Sequence, residues 1–241
     1  MKPLSAAELW VQLSGSPLFG LTITLIAYLA GEWLFKRSGQ KALCNPVLIA
    51  IALIVALLWT TGLPYAHYFD GAQLIHFLLG PATVALAVPL HAYWRRLRQM
   101  ALPLVAGLFA GSATAALSAM GLAWLLGASP ETILSLGPKS VTTPIAMGVA
   151  EQIGGIPSLT AVLVILTGII GAIGFPGFFR LLGVHNQATQ GFAVGITSHG
   201  LGTARAFMIS EEMGAFAALG MGLNGILTAV ALPLLLSLLP R

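Results

Sequence analysis

Charge is what this sequence has least of. Only 7% of its 241 residues are Asp, Glu, Lys or Arg, against 57% that are hydrophobic, whereas a soluble domain carries about 25% charged residues. Mean hydropathy is +0.92. A soluble domain is excluded, and an integral membrane protein is expected. The single cysteine, Cys44, rules out an internal disulfide. Spacings such as Cys-x-x-Cys or His-Glu-x-x-His are missing, so neither metal nor cofactor is expected. Strand-type alternation is also missing, which removes a β-barrel. The net charge of +4 lies in short basic clusters between apolar runs. Those are topology determinants, not a nucleic-acid surface. Small residues near Ala6 precede the first apolar run instead of following it, so no cleavable signal is expected.

What is there is a train of apolar segments. One helical span takes roughly 20 residues, so the chain has room for about seven or eight. Met1–Gly15 reads as weakly amphipathic and interfacial. The first span runs from about Pro17 to Phe35, and Lys36, Arg37 and Lys41 mark a cytoplasmic loop. Glu32 either pairs with them or is a solvated end charge. Asn45-Pro46 opens the second span, which ends near Gly62; asparagine favours an N-cap and proline a first turn. Leu63–Gly71 reads as a loop whose His67 and Asp70 are solvated. The third span, about Ala72 to Trp94, is interrupted at Gly80-Pro81, where freed carbonyls become available to a ligand. Arg95-Arg-Leu-Arg98 is the densest basic cluster and is assigned to the cytoplasm. The fourth span, about Leu102 to Leu126, is a seam of small residues, and Ser129-Pro-Glu starts a short helix. Spans follow at about Ile156–Leu182, at Ala188–Met213 closed by Glu211-Glu212, and at Gly214–Leu239. Asn224 in the last one reads as interhelical glue.

Two polar islands interrupt this apolar pattern. Gly195-Ile-Thr-Ser-His-Gly-Leu-Gly-Thr-Ala-Arg-Ala-Phe207 holds three hydroxyls, an imidazole, a guanidinium and three glycines. An ionisable group at membrane depth costs about 2.5–3.5 kcal/mol, so it faces protein or water. On a continuous helix Ser198, Gly202 and Arg205 share one face, with His199 and Thr203 beside them. That face is either a binding site, with Gly200 allowing a break, or a packing seam with polar glue. The second island is Gly137 to Gly155. Only about 14 residues run from Ser140 to Ile153, too few to cross comfortably, so a re-entrant or broken helix is expected. Lys139, Ser140, Thr142 and Thr143 stand at the mouth of a half-helix headed by Pro144, whose dipole favours an anion. Glu151 closes that half-helix and, like His199, is a candidate proton carrier; it is otherwise an idle interfacial charge.

The halves echo each other at about 43–127 and 138–240 within one domain spanning 1–241. Asn45-Pro46-Val-Leu-Ile-Ala matches Thr143-Pro144-Ile-Ala-Met-Gly, and Gly80-Pro81-Ala-Thr83 matches Gly200-Leu-Gly-Thr203. With the basic loops, Arg180 and Arg241 all on the cytoplasmic side, the two Pro-headed helices enter from opposite faces. An inverted repeat results, which many transporters use to hold substrate at the midplane.

Pro138-Lys-Ser-Val-Thr-Thr-Pro-Ile-Ala146 and Ser198-His-Gly-Leu-Gly-Thr-Ala-Arg-Ala206 closely resemble signature stretches of the LrgB/CidB family. Asn45-Pro46 and Pro81-Ala-Thr-Val-Ala-Leu-Ala-Val-Pro-Leu90 are similar to its pattern too. His91 and Gly200 stand where tyrosine and alanine are common, and Cys44 replaces a usual leucine. The resemblance implies a multi-pass protein of the bacterial cytoplasmic membrane, often paired with a small holin-like LrgA/CidA membrane protein. It implies either of two functions: antiholin-like control of murein hydrolase export and lysis, or transport of small carboxylates, as in the plastid glycolate/glycerate transporter.

The residues themselves favour a secondary transporter of small monocarboxylates. Arg205 pairs with the carboxylate, Thr203, Ser198, Thr142 and Thr143 bond its oxygens, and the Pro144 helix start adds its dipole. Gly202, Asn45, Pro81 and Thr83 complete the candidate set. Contact with membrane lipid and a homo-oligomer are expected, nucleic acid is not. An enzyme is not expected either: adjacent Ser198 and His199 diverge by about 100° on a helix, a poor nucleophile–base pair.

Overall fold

The computed structural model describes residues 16, 18–39 and 41–238, with the side chains of residues 42, 76, 79, 83 and 90 outside that description. The expected interfacial segment 1–15 and Arg241 also lie outside it. No strand occurs among the described residues. The chain divides into two compact units, one up to Ala85 and one from Leu86.

The first unit holds α1 (Phe19–Arg37), a 3₁₀ turn (Ala42–Cys44), α2 (Pro46–Thr61) and α3 (Tyr65–Ala85). Gly20 in α1 lies against the backbone at Tyr68–Ala72, and Thr24 Oγ1 bonds Tyr68 Oη at 2.7 Å, so small residues let α1 and α3 pack closely. Glu32 does pair with Lys36, at 2.7 Å. Asn45 is the expected N-cap: its Oδ1 accepts from the backbone N–H of Val47 at 2.9 Å and of Leu48 at 3.3 Å. The loop expected at Leu63–Gly71 is shorter, because α3 starts at Tyr65 and takes in His67 and Asp70. Pro81 sits inside α3 without ending it; the axis bends by 43° between Tyr65–Ile75 and Gly80–Pro89. The interruption read at Gly80-Pro81 is thus a bend rather than a gap, as proline in an apolar helix produces.

The second unit holds α4 (Ala87–Ala92), α5 (Trp94–Gln99), α6 (Ala101–Leu125), α7 (Pro130–Leu136), α8 (Thr143–Ile153), α9 (Pro157–Leu181), α10 (Gln187–Phe207) and α11 (Glu211–Ser237). Four helices, α1, α6, α9 and α11, are long and apolar enough to cross a membrane, five spans if the bent pair Tyr65–Ile75 and Gly80–Pro89 counts as one. That is fewer than the seven or eight expected. Helix α2 has 16 residues and α8 has 11, and α10 is too polar. Large apolar side chains stand exposed along the qualifying helices, for example Leu117, Ile170 and Val230. Lipid solvates such a surface at no cost.

The α10–α11 hairpin is the centre of this unit. A Cβ at Gly191 or Gly195 would run into the α11 backbone at Met213 and Ala217, so these positions let two helix backbones touch, as Gly-x-x-x-Gly spacing does in membranes. Glu211 and Glu212 do not close α10, as the sequence reading had it. They form the first turn of α11, where acidic groups suit the helix dipole, and Ser210 caps them by accepting from Met213 N–H at 3.1 Å. Arg96 Nη1 lies 2.7 Å from Glu212 Oε1, joining α5 to that turn. Helix α7 is fastened to the start of α9 by buried Ser135, whose hydroxyl donates to Glu131 O at 2.6 Å and accepts from Ile156 N–H at 2.7 Å.

Candidate functional site

Helix α10 breaks at His199. Its backbone has φ 40° and ψ −134°, the one positive φ at a non-glycine among the described residues. An L residue in such a conformation costs about 1–3 kcal/mol and persists only when its surroundings enforce it. Three contacts do so. The His199 Nε2 lies 2.9 Å from Val164 O; a carbonyl only accepts, so Nε2 carries the proton and donates. Thr203 Oγ1, one turn past the break, donates back to His199 O at 2.8 Å and pins that carbonyl's orientation. Helix α9 supplies room: a Cβ at Gly168 would stand 2.6 Å from His199 Cε1, and one at Gly171 would overlap the Ser198 hydroxyl.

The break is secured from the other side by Asn224 on α11, the residue read as interhelical glue. It is 1% exposed. Its amide donates to Ile196 O at 2.8 Å and to Ser140 O at 3.3 Å. Its Oδ1 accepts from Ser112 Oγ and, at 3.4 Å, from Thr228 Oγ1. One side chain therefore ties α6, the loop ahead of α8, α10 and α11 together.

Beside these polar groups lies an open cleft of about 680 Å³. Its polar lining comes from Lys139, Ser140, Thr167, Thr197 and Ser198, and its apolar wall from Phe175, Phe178 and Phe179. Lys139 is half-buried. Its Nζ donates to Ser140 Oγ at 3.3 Å; no carboxylate pairs with it among the described residues. An ammonium has three donors; among the described residues this cation spends one on Ser140 and faces a largely apolar cleft.

The two islands read from the sequence therefore meet, through a different set of atoms than the helical face implied. Lys139, Ser140 and Ser198 line the cleft. His199 and Thr203 are buried behind it, with His199 Nε2 and Thr203 Oγ1 engaged at the break. Gly202 packs against Ser198 and Val194. Arg205 stands half-buried on the segment after the break and does not line the cleft, because the turn at His199 destroys the i, i+4, i+7 register that joined it to Ser198. Thr142 is the N-cap of α8 with no side-chain capping bond, and Thr143 and Pro144 form its first turn; the cleft lining stops at Ser140. Gly200 is half-buried just past the break, and Glu151 is exposed. Asn45 and Pro81 belong to the first unit, and the Thr83 side chain lies outside the described residues. Thr167 and Thr197 were not singled out. Thr167 was legible as the hydroxyl on the face of α9 that also carries Gly168, Gly171 and Gly174.

The LrgB-like family model matches residues 24–238. The uncharacterized protein YwbG of Bacillus subtilis (strain 168) is 38% identical over 217 residues, 90% of this chain and 96% of that protein. The antiholin-like protein LrgB of the same organism is 32% identical over 228 residues, 93% of this chain and 97% of its own. Its namesake in Bacillus cereus (strain B4264) is 30% identical over 223 residues, 91% and 95% of the two chains. No solved structure matches. With most of its length matched both by the family model and by these relatives, the chain belongs to the LrgB-like family of membrane proteins.

Proposed function

We propose that the chain carries small monocarboxylates of the glycolate, lactate and pyruvate class across the bacterial inner membrane. The observation behind this reading is Lys139, a half-buried ammonium without a carboxylate partner among the described residues, at the wall of a cleft between two polar islands. A charge kept in such surroundings is costly unless a counter-ion comes to it. In this reading Lys139 takes the carboxylate, and the hydroxyls of Ser140, Thr167, Thr197 and Ser198 bond its oxygens or its α-substituent. The phenyl rings cover the short apolar end. The Thr142–Thr143–Pro144 helix start adds its dipole at second hand, and Arg205 and Thr203 act from behind the break. His199, next to Ser198, is the better-placed proton carrier for coupled transport; Glu151 stands exposed at the far end of α8. Helices α2 and α8, both short and with proline in the first turn, correspond in the repeat at about 43–127 and 138–240, and a homo-oligomer belongs to the same reading.

A second reading, an antiholin-like regulator acting on a small LrgA-like membrane partner, rests on the printed names of the relatives. The comparisons favour it directly, and it needs no solute in the cleft. Uptake of labelled glycolate, lactate, pyruvate and acetate into proteoliposomes, with and without a pH gradient, separates the two. The transport reading expects gradient-driven uptake that falls strongly in Lys139→Ala and less in Arg205→Ala. Absence of uptake by folded protein, even with the small partner co-reconstituted, leaves the regulatory reading.

A further inference from the structure

A second cavity adjoins the cleft. It has a volume of about 210 Å³ and runs between α6 and α10, with Pro103, Gly107 and Gly111 on one side and Thr189, Ala193 and Thr197 on the other. Ala193 and Thr197 line both cavities, and on α6 the small-residue face continues from Gly107 and Gly111 into the cleft at Ala115. Residues 103, 107, 111 and 115, and likewise 189, 193 and 197, are four apart, so each set lies along one face of its helix.

We infer that this second cavity is the far arm of the solute path, and that Thr197 is the residue past which the solute moves between the two arms. The inference rests on the transport reading and adds its route. At 1.5 Å per residue, the run from Pro103 to Ala115 covers about 18 Å of the roughly 30 Å hydrocarbon core. On α6 the wall is Pro103 and Leu104 at one end and Gly107 and Gly111 beyond them, where no side chain stands in the groove. A Cβ at Gly107 would meet only the Phe192 ring, at 3.7 and 3.9 Å, so the position accepts a side chain and that side chain enters the cavity. Thr197 sits one turn above Thr189–Ala193 and one residue before Ser198. Its hydroxyl donates to Ala193 O at 2.8 Å and lies 3.3 Å from Ser198 Oγ. With its proton on Ala193 O, the oxygen accepts from a solute's α-hydroxyl, and it donates to a carboxylate once the hydroxyl rotates away from Ala193 O. Cation-bearing Lys139 lies in one arm only, so the carboxylate rests in the cleft and crosses the Thr197 position when it leaves.

The chain has one cysteine, which makes accessibility the natural test. In a Cys44→Ser background, Gly107→Cys and Ala193→Cys are reconstituted in proteoliposomes beside Val230→Cys, an exposed α11 position away from both cavities. A membrane-impermeant sulfonate methanethiosulfonate is applied to both faces. The expected result is that both cavity positions react faster than Val230→Cys, that glycolate slows the reaction, and that the adduct abolishes the glycolate uptake each variant had before modification. Ala193→Cys adds a single heavy atom and lines both cavities, so the test stands if Gly107→Cys does not fold. Reaction no faster than at Val230→Cys, or an adduct that leaves Lys139-dependent uptake intact, overturns the route while sparing the transport reading. No uptake by the parent protein overturns both.

Discussion

Replacing Asn224 by leucine removes a buried amide of nearly equal size and tests how the cleft is held together. The side chain makes four hydrogen bonds, to Ile196 O, Ser140 O, Ser112 Oγ and Thr228 Oγ1. Bonds between helices inside membranes average about 0.6 kcal/mol each, so the three that reach other segments sum to about 1.8 kcal/mol, the Thr228 bond staying within α11. One of the three is long, at 3.3 Å, which lowers the sum. Against this, Ile196 O lies within one turn of the break, so its lost partner is not replaced by a regular helical N–H, and an orphaned carbonyl adds about 1 kcal/mol or more. The expected loss is therefore about 2–3 kcal/mol. Unfolding in mixed micelles of dodecylmaltoside and SDS, followed by tryptophan fluorescence, measures it. Asn224→Asp loses the amide N–H donors at the added cost of a buried acid, so its loss sets an upper bound on the bonds to Ser140 and Ile196. A double-mutant cycle with Ser112→Ala isolates the third. A loss below about 0.5 kcal/mol for Asn224→Leu, or no coupling to Ser112, refutes the claim that this residue ties four segments together.

Other substitutions test other joints. Gly168→Val pushes two methyl groups at the His199 ring and is expected to cost about 1–3 kcal/mol or to prevent folding, whereas Gly174→Ala, with open space around it, stays near wild type in the same assay. Ser135→Ala deletes the bond that joins α7 to the start of α9 and one back to Glu131 O within α7, and is expected to cost about 1–2 kcal/mol of unfolding free energy. Arg96→Ala breaks the contact with Glu212, where the charges approach to 2.7 Å without an aligned hydrogen bond on Oε1. It is expected to change stability by less than about 1 kcal/mol, and less again in high salt.

The elements themselves were legible where local chemistry is loud. Asn45, Ser129 and Pro144 announce helix starts, and each stands at or within one residue of one. The long apolar runs became α1, α6, α9 and α11 to within a few residues. Glu211 and Glu212 were misread because an acidic pair marks a helix start as readily as it interrupts an apolar run; Ser210 in front of them was the deciding signal. The site was half legible. Polar residues in apolar spans drew attention to both islands, since burying such groups is costly anywhere. Their grouping was not legible, because it depends on one backbone torsion at His199. That torsion is imposed by Val164 O and by the missing side chains at Gly168 and Gly171, on a helix some thirty residues upstream. A continuous-helix register puts Arg205 beside Ser198; the broken helix leaves Lys139 as the cation at the cleft.

The central claim is that the cleft at Lys139 binds a small carboxylate, and calorimetric titration of glycolate into the purified protein tests it most directly. The account expects saturable binding in the micromolar to millimolar range, about −8 to −4 kcal/mol. It expects that binding to be lost in Lys139→Gln and retained in Arg205→Gln, and the neutral glycolamide to be ignored. Folded protein that binds none of the small monocarboxylates, or that binds glycolate equally well as Lys139→Gln, contradicts it.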